Sequence, residues 1–169
     1  MNSSRIRKLA LAGLLVAVAV VCSPLSIPVG ASKCFPVQHL VNILAGVFLG
    51  PWYGVGMAFC TSLIRVMLGT GSLLAFPGSM CGALLCGLLY QFSKKLSLAY
   101  LGELAGTGLL GALAAYPLAT LVMAKETALF AYVLPFGISS LGGTAIAVLL
   151  MGALQRAQVL TRLQKAVEG

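Results

Sequence analysis

Few side chains in this sequence could recognise a polar ligand, and most of them stand inside apolar runs. Gln38, His39 and Asn42 open one such run, with Gln38 and Asn42 one helical turn apart and so on one face. Amides left unsatisfied in lipid cost several kcal/mol. These residues must therefore face protein or a wet cavity, either as ligand contacts or as hydrogen-bonded glue between helices. His39 is the single histidine. Without neighbouring cysteine or carboxylate ligands it is poor evidence for a metal, and no metal is expected.

Arg65 stands roughly 14 residues after the Gly50-Pro51 turn, near the outer end of an apolar run. An ionisable group within a span is costly and is a functional candidate by default. The alternative is that Arg65 reaches to the outer headgroups. A positive group beside an external pocket suits an anionic or hydrogen-bond-accepting ligand. Thr61 and Ser62 lie on the same helical face.

Ser72, Phe76 and Ser79 come from a stretch that is apolar yet full of helix breakers, and they complete the candidate set with Tyr116 and Tyr132. Pro117 and Pro135 lie close to the two tyrosines, where they bend helices and open space between them. For Tyr132 an interfacial aromatic belt is the competing account.

Catalytic signatures are missing. The sequence has no Walker A loop, no His-Glu-x-x-His and no Gly-x-Ser-x-Gly. Neither catalytic residues nor a cofactor are expected. Glu103 is the one acid that could fall inside a span, and it reads as a helix-start residue near the cytoplasmic end. Proton-coupled carriers usually use intramembrane carboxylates, so self-powered transport is poorly supported.

The elements that must hold these residues follow from composition. The chain has 169 residues, 60% of them hydrophobic and 8% charged. Its mean hydropathy is +1.04. A soluble domain carries about 25% charged residues. A soluble enzyme, a nucleic-acid module and a disordered chain are thereby excluded. A single all-α membrane domain over residues 1–169 is predicted, with helices at about 6–22, 36–49, 52–68, 78–92, 98–123 and 129–154. Pro24, Pro28, Gly30, Ser32 and Lys33 make 23–35 a long loop. Residues 69–77 form a second, structured loop, and a basic tail follows the last helix.

Arg5, Arg7 and Lys8 before the run Leu9–Cys22 resemble the start of a signal peptide. No small-x-small cleavage site follows, so a retained first helix is expected. The five cysteines, Cys22, Cys34, Cys60, Cys81 and Cys86, read as small buried hydrophobes.

Charge then fixes the expected orientation. With six spans, Arg5, Arg7, Lys8, Lys94, Lys95, Arg156, Arg162 and Lys165 fall on one side, and only Lys33 and Lys125 on the other. Positive charge is retained in the cytoplasm, so both termini are expected there. The two long loops and the binding chemistry then face outward. Gly13 and Ala17, with Ala10 on the same side, allow close packing, as do Gly78 with Gly82 and Gly102 with Gly106.

These residues carry a resemblance. Phe35-Pro36-Val37-Gln38-His39 with Asn42, Leu49-Gly50-Pro51-Trp52-Tyr53, Arg65 and the stretch Gly69-Thr70-Gly71-Ser72-Leu73-Leu74-Ala75-Phe76-Pro77-Gly78-Ser79 resemble the ThiW family over about residues 5–155. That family is one of the substrate-binding (S) components of energy-coupling factor (ECF) transporters. The resemblance implies a six-helix protein with an external pocket for a thiamin precursor, the neutral alcohol hydroxyethylthiazole. It implies docking through helix 1 onto a transmembrane coupling protein served by two cytoplasmic ATPases. It also implies toppling in the membrane to release ligand inside. Gly13-x-x-x-Ala17 resembles the Ala-x-x-x-Ala docking motif, with Gly in the first place. The expected location is the plasma membrane of a bacterium or archaeon.

The alternatives are a self-sufficient permease or channel for a small heterocyclic solute, and, less favoured, a membrane enzyme or structural subunit. One tension stands: Arg65 suits a phosphorylated thiazole better than the free alcohol. It could instead anchor the 69–79 loop through backbone carbonyls.

Overall fold

The computed structural model describes residues 3–29 and 32–168. Helix α1 (Ser3–Val21) leads into a short antiparallel hairpin, β1 (Ile27–Val29) and β2 (Ser32–Cys34). Helices α2 (Pro36–Phe48), α3 (Pro51–Met67) and α4 (Ala75–Ser93) follow. A helical run α5 (Leu96–Val122), then α6 (Val133–Arg156) and α7 (Val159–Glu168), complete the chain.

Local chemistry sets these boundaries. Pro36 and Pro51 open α2 and α3, where a missing N–H costs nothing. Gly50 alone turns the chain between them, at φ 86°, a conformation that a side chain would oppose. Helix α4 begins at Ala75, so Phe76 and Pro77 of the expected loop lie in its first turn. The remaining loop is short and anchored, because the N–H groups of Thr70 and Gly71 both donate to the Arg65 carbonyl, at 2.9 and 3.0 Å.

The structure departs from the expected elements in three further places. The 23–35 segment contains the hairpin, with Ile27 opposite Cys34 and Pro28 opposite Lys33, so the architecture is helical with one small β element. Gly30, expected in this loop, lies outside the described residues. The basic tail is helix α7. Its last carbonyls, orphaned at a helix end, accept from the start of α1: Arg7 Nη1 donates to Ala166 at 3.0 Å and Ser4 Oγ to Val167 at 3.4 Å. Helix α5 is not uniform. Residues Gly106–Gly111 and Leu118–Val122 wind as π-helix on either side of a short α-helical stretch ending at Pro117.

Helices α4, α5 and α6 are long and apolar enough to cross a membrane. Large apolar side chains cover the outer surface, with Val21, Trp52, Leu121 and Leu149 all more than three-quarters exposed. Such a surface suits lipid rather than water. Helix α2 has 13 residues and spans only about 20 Å. It is nevertheless the centre of the bundle: nine of its residues are buried, and α1, α3, α4, α5 and α6 pack around it.

The glycine spacings seen in sequence find their use here. Gly102, Gly106 and Gly111 of α5 meet Cys86, Cys81 and Gly78 of α4 backbone to backbone. These small residues close a seam within the chain, not a contact with a partner. A Cβ at Gly106 would stand 2.5 Å from the Cys81 carbonyl oxygen. Gly106→Ala should therefore destabilise the protein by about 1–3 kcal/mol, read as a lowered unfolding midpoint in detergent. Gly13 is different, because a Cβ there meets nothing within 4 Å.

Candidate functional site

The buried face of α2 is polar in its first half and apolar in its second. Gln38, His39 and Asn42 lie in the half next to the hairpin, each no more than 6% exposed. Above them is a cavity of about 560 Å³, within the roughly 300–1,000 Å³ of small-molecule sites. The hairpin, the 69–74 loop and the starts of α2, α4 and α6 surround it. Exposed Lys33 and Lys125 stand on its rim, so the cavity reaches the surface there.

Of the nine residues expected at a ligand site, Gln38, His39, Arg65, Ser72, Ser79 and Tyr132 line this cavity. Asn42 is fully buried beneath them. Phe76 packs edge-on against Phe59, with ring centroids 5.5 Å apart, and takes no part in the lining. Tyr116 also lies outside the lining; its carbonyl accepts a hydrogen bond from Thr120.

Arg65 sits in the last turn of α3 and is 1% exposed. Its Nη1 donates to Gln38 Oε1 at 3.2 Å, and its guanidinium lies 4.0 Å from the centroid of the Phe35 ring. That cation–π contact returns about 0.5–2 kcal/mol of the cost of burial. Nε and Nη2 have no hydrogen-bond partner, and Arg65 makes no ion pair among the described residues. The idea that its side chain anchors the loop is corrected. The carbonyl of Arg65 holds the loop, while its guanidinium donates to Gln38, and the residue lines the cavity.

A chain of hydrogen bonds runs down from Arg65. Gln38 Nε2 donates to Asn42 Oδ1 at 3.2 Å, and Asn42 Nδ2 donates to Glu103 Oε1 at 3.0 Å. The same oxygen accepts from Thr107 Oγ1 at 3.0 Å and from His39 Nδ1 at 2.8 Å. His39 Nε2 lies 3.0 Å from Ser139 Oγ, which accepts the Phe35 N–H at 2.8 Å. Both ring nitrogens of His39 are thus held, which fixes the ring's orientation. Among the described residues no group of histidine, cysteine and acidic side chains is arranged to hold a metal.

Glu103 is therefore not a helix-start residue near an aqueous end. It is fully buried, in the middle of the packed bundle. A buried carboxyl group needs donors, and α2 and α5 provide three. Gly82 provides the space: a Cβ there would run into Thr107 Oγ1 and come within 2.7 Å of Glu103 Oε2.

The two loops at the cavity are tied to each other. Ser23 Oγ donates to Thr70 Oγ1 at 3.0 Å, and Thr70 Oγ1 donates to the Arg65 carbonyl at 3.3 Å. Cys34 Sγ donates to the Pro135 carbonyl at 3.6 Å, joining the hairpin to α6, and burial pushes its thiol above the ordinary value.

At the opposite end, Arg7, Gln164 and Tyr90 bring the first, last and fourth helices together. Both ends of the described chain lie there, with Lys94 and Lys95 about one turn past Tyr90. A second groove, apolar and about 570 Å³, runs between α1 and α3 and is lined by Leu9, Gly13, Trp52 and Gly56 among others.

The sequence model of one family, described as Thiamine-precursor transporter protein (ThiW), matches residues 9–157. No curated protein and no solved structure matches the chain.

Proposed function

The chain belongs to the ThiW family of thiamine-precursor transporters, and from that premise we propose that it is the substrate-capture (S) component of an ECF-type importer. In this reading six helices, α1 to α6, cross the plasma membrane of a bacterium or archaeon with both termini in the cytoplasm. The cavity faces outward and takes a thiazole precursor of thiamin, of which hydroxyethylthiazole is the parent. The observation that carries the reading is the cavity itself, with a polar floor and aromatic Phe35, Tyr132 and Phe136 in its wall. Gln38, His39, Arg65, Ser72 and Ser79 are the polar contacts proposed for the ligand. Asn42 orients Gln38 from below.

Transport in this scheme is driven from outside the chain, by a membrane coupling protein and two cytoplasmic ATPases. Helix α1 is proposed as the docking element. Ala10, Gly13 and Ala17 are exposed on one face of it, while Leu15 and Ala19 on the other side are buried in the core. An exposed stripe of small residues lets a partner helix approach closely.

The reading requires binding without ATP. Calorimetric titration of the purified chain with hydroxyethylthiazole should give saturable binding, and no binding of thiazole, thiamin or related heterocycles would refute it. The Glu103–His39 pair favours a second reading, because proton-coupled carriers use buried acids of this kind. In that case the chain alone in liposomes would accumulate ligand under a proton gradient. The S-component reading expects no accumulation.

A further inference from the structure

We propose that the ligand carries an oxyanion seated on Arg65, so that the preferred form is the phosphate monoester of the thiazole alcohol rather than the alcohol itself. This rests on the reading of the cavity as a thiazole site. Two of the three guanidinium nitrogens of Arg65 are free. Nη1 is committed to Gln38, and Nε and Nη2 are not. Nε and Nη2 share one edge of the guanidinium plane. Their N–H groups run parallel along that edge, in the fork that accepts two oxygens of a phosphate or carboxylate. Arg65 is a lining residue of the cavity, fully buried, and keeps this fork without a protein acceptor, which are the elements of an oxyanion seat.

The surrounding charge has the matching sign. Lys33 and Lys125 stand on the rim, and among the described residues no acidic one lines the cavity. The chain has only three acids. Glu103 is turned to His39, Asn42 and Thr107, and Glu126 is exposed and absent from the lining. Positive charge at the rim and at Arg65 draws anions in and holds them. Phe35 fixes the guanidinium plane from one side, so the free edge is presented in a constant orientation.

The test compares two ligands on one protein. The full-length chain in detergent is titrated with hydroxyethylthiazole and with its phosphate monoester, and inorganic phosphate serves as competitor. The ester should bind at least about tenfold more tightly, and inorganic phosphate should compete with it. Arg65→Lys keeps the charge but loses the fork, and it should reduce the preference for the ester. Equal affinities, or a preference for the alcohol, would overturn the oxyanion seat and leave the thiazole site standing. A preference for the ester that survives unchanged in Arg65→Lys would place the anion elsewhere and also overturn it. Failure of both thiazoles to bind the unaltered protein would remove the underlying reading as well.

Discussion

Glu103→Leu should be the most damaging single substitution in the chain. It leaves His39 Nδ1 with no acceptor and deprives Asn42 and Thr107 of their shared one, although these keep the Ser79 and Gly78 carbonyls. Leaving a buried donor without its acceptor costs about 1–3 kcal/mol, and more where a charged group is involved. At about 2–4 °C per kcal/mol for a chain of this length, the unfolding midpoint should fall by up to about 10 °C. Ligand affinity should fall with it, because Asn42 and His39 lose the contact that positions the cavity floor. Glu103→Gln keeps an acceptor oxygen and should recover most of the stability. A Glu103→Leu protein that melts with the unaltered chain would show that the network contributes nothing. Both variants can be read by fluorescence-monitored melting in detergent, with and without ligand.

The second large effect concerns α1 and separates capture from transport. Gly13→Leu adds a bulky side chain where a Cβ meets nothing, at the groove between α1 and α3. The fold should tolerate it. Helix packing that depends on a small residue should not, because the extra side chain holds the partner helix away. Uptake by cells carrying the complete transporter should fall by at least about tenfold, the equivalent of some 1.4 kcal/mol at the interface. Ligand binding by the isolated chain should be retained. Normal uptake in Gly13→Leu would remove α1 as the docking face, and a joint loss of binding and uptake would point to misfolding.

The parts of the candidate site that could be read from sequence share one property: their chemistry conflicts with their surroundings. Gln38, His39, Asn42 and Arg65 are polar groups in apolar runs, and burial in lipid leaves such groups few options. The helices were legible for the converse reason, since long apolar stretches ended by proline and glycine have one economical fold in a bilayer. Glu103 was misread because its place near the start of α5 matched the usual preference of acids for helix N-termini. The contrary signal was its depth. It stands seven residues past Leu96, about 10 Å along the helix, among glycines. Helix α7 was missed because its charges resemble a solvated tail; only pairing with α1 and Tyr90 explains its order. The turn of Phe76 away from the cavity depends on where α4 begins, and helix boundaries are set by tertiary contacts that a single sequence does not display.

Arg65 serves two structures through two parts of one residue. The residue lines the cavity and its side chain donates to Gln38, while its carbonyl holds Thr70 and Gly71. Through Thr70 that carbonyl also reaches Ser23 at the end of α1. Coupling between separate sites ordinarily runs through a series of packed groups, each able to absorb part of the displacement. Here only Thr70 stands between the Arg65 carbonyl and Ser23. Any shift in the last turn of α3 as the guanidinium engages a ligand passes directly into the loop beside the cavity, and one hydrogen bond later into the segment that follows the helix proposed to face the coupling protein. Occupancy of the cavity would therefore be reported to the segment that follows α1 through Thr70 alone.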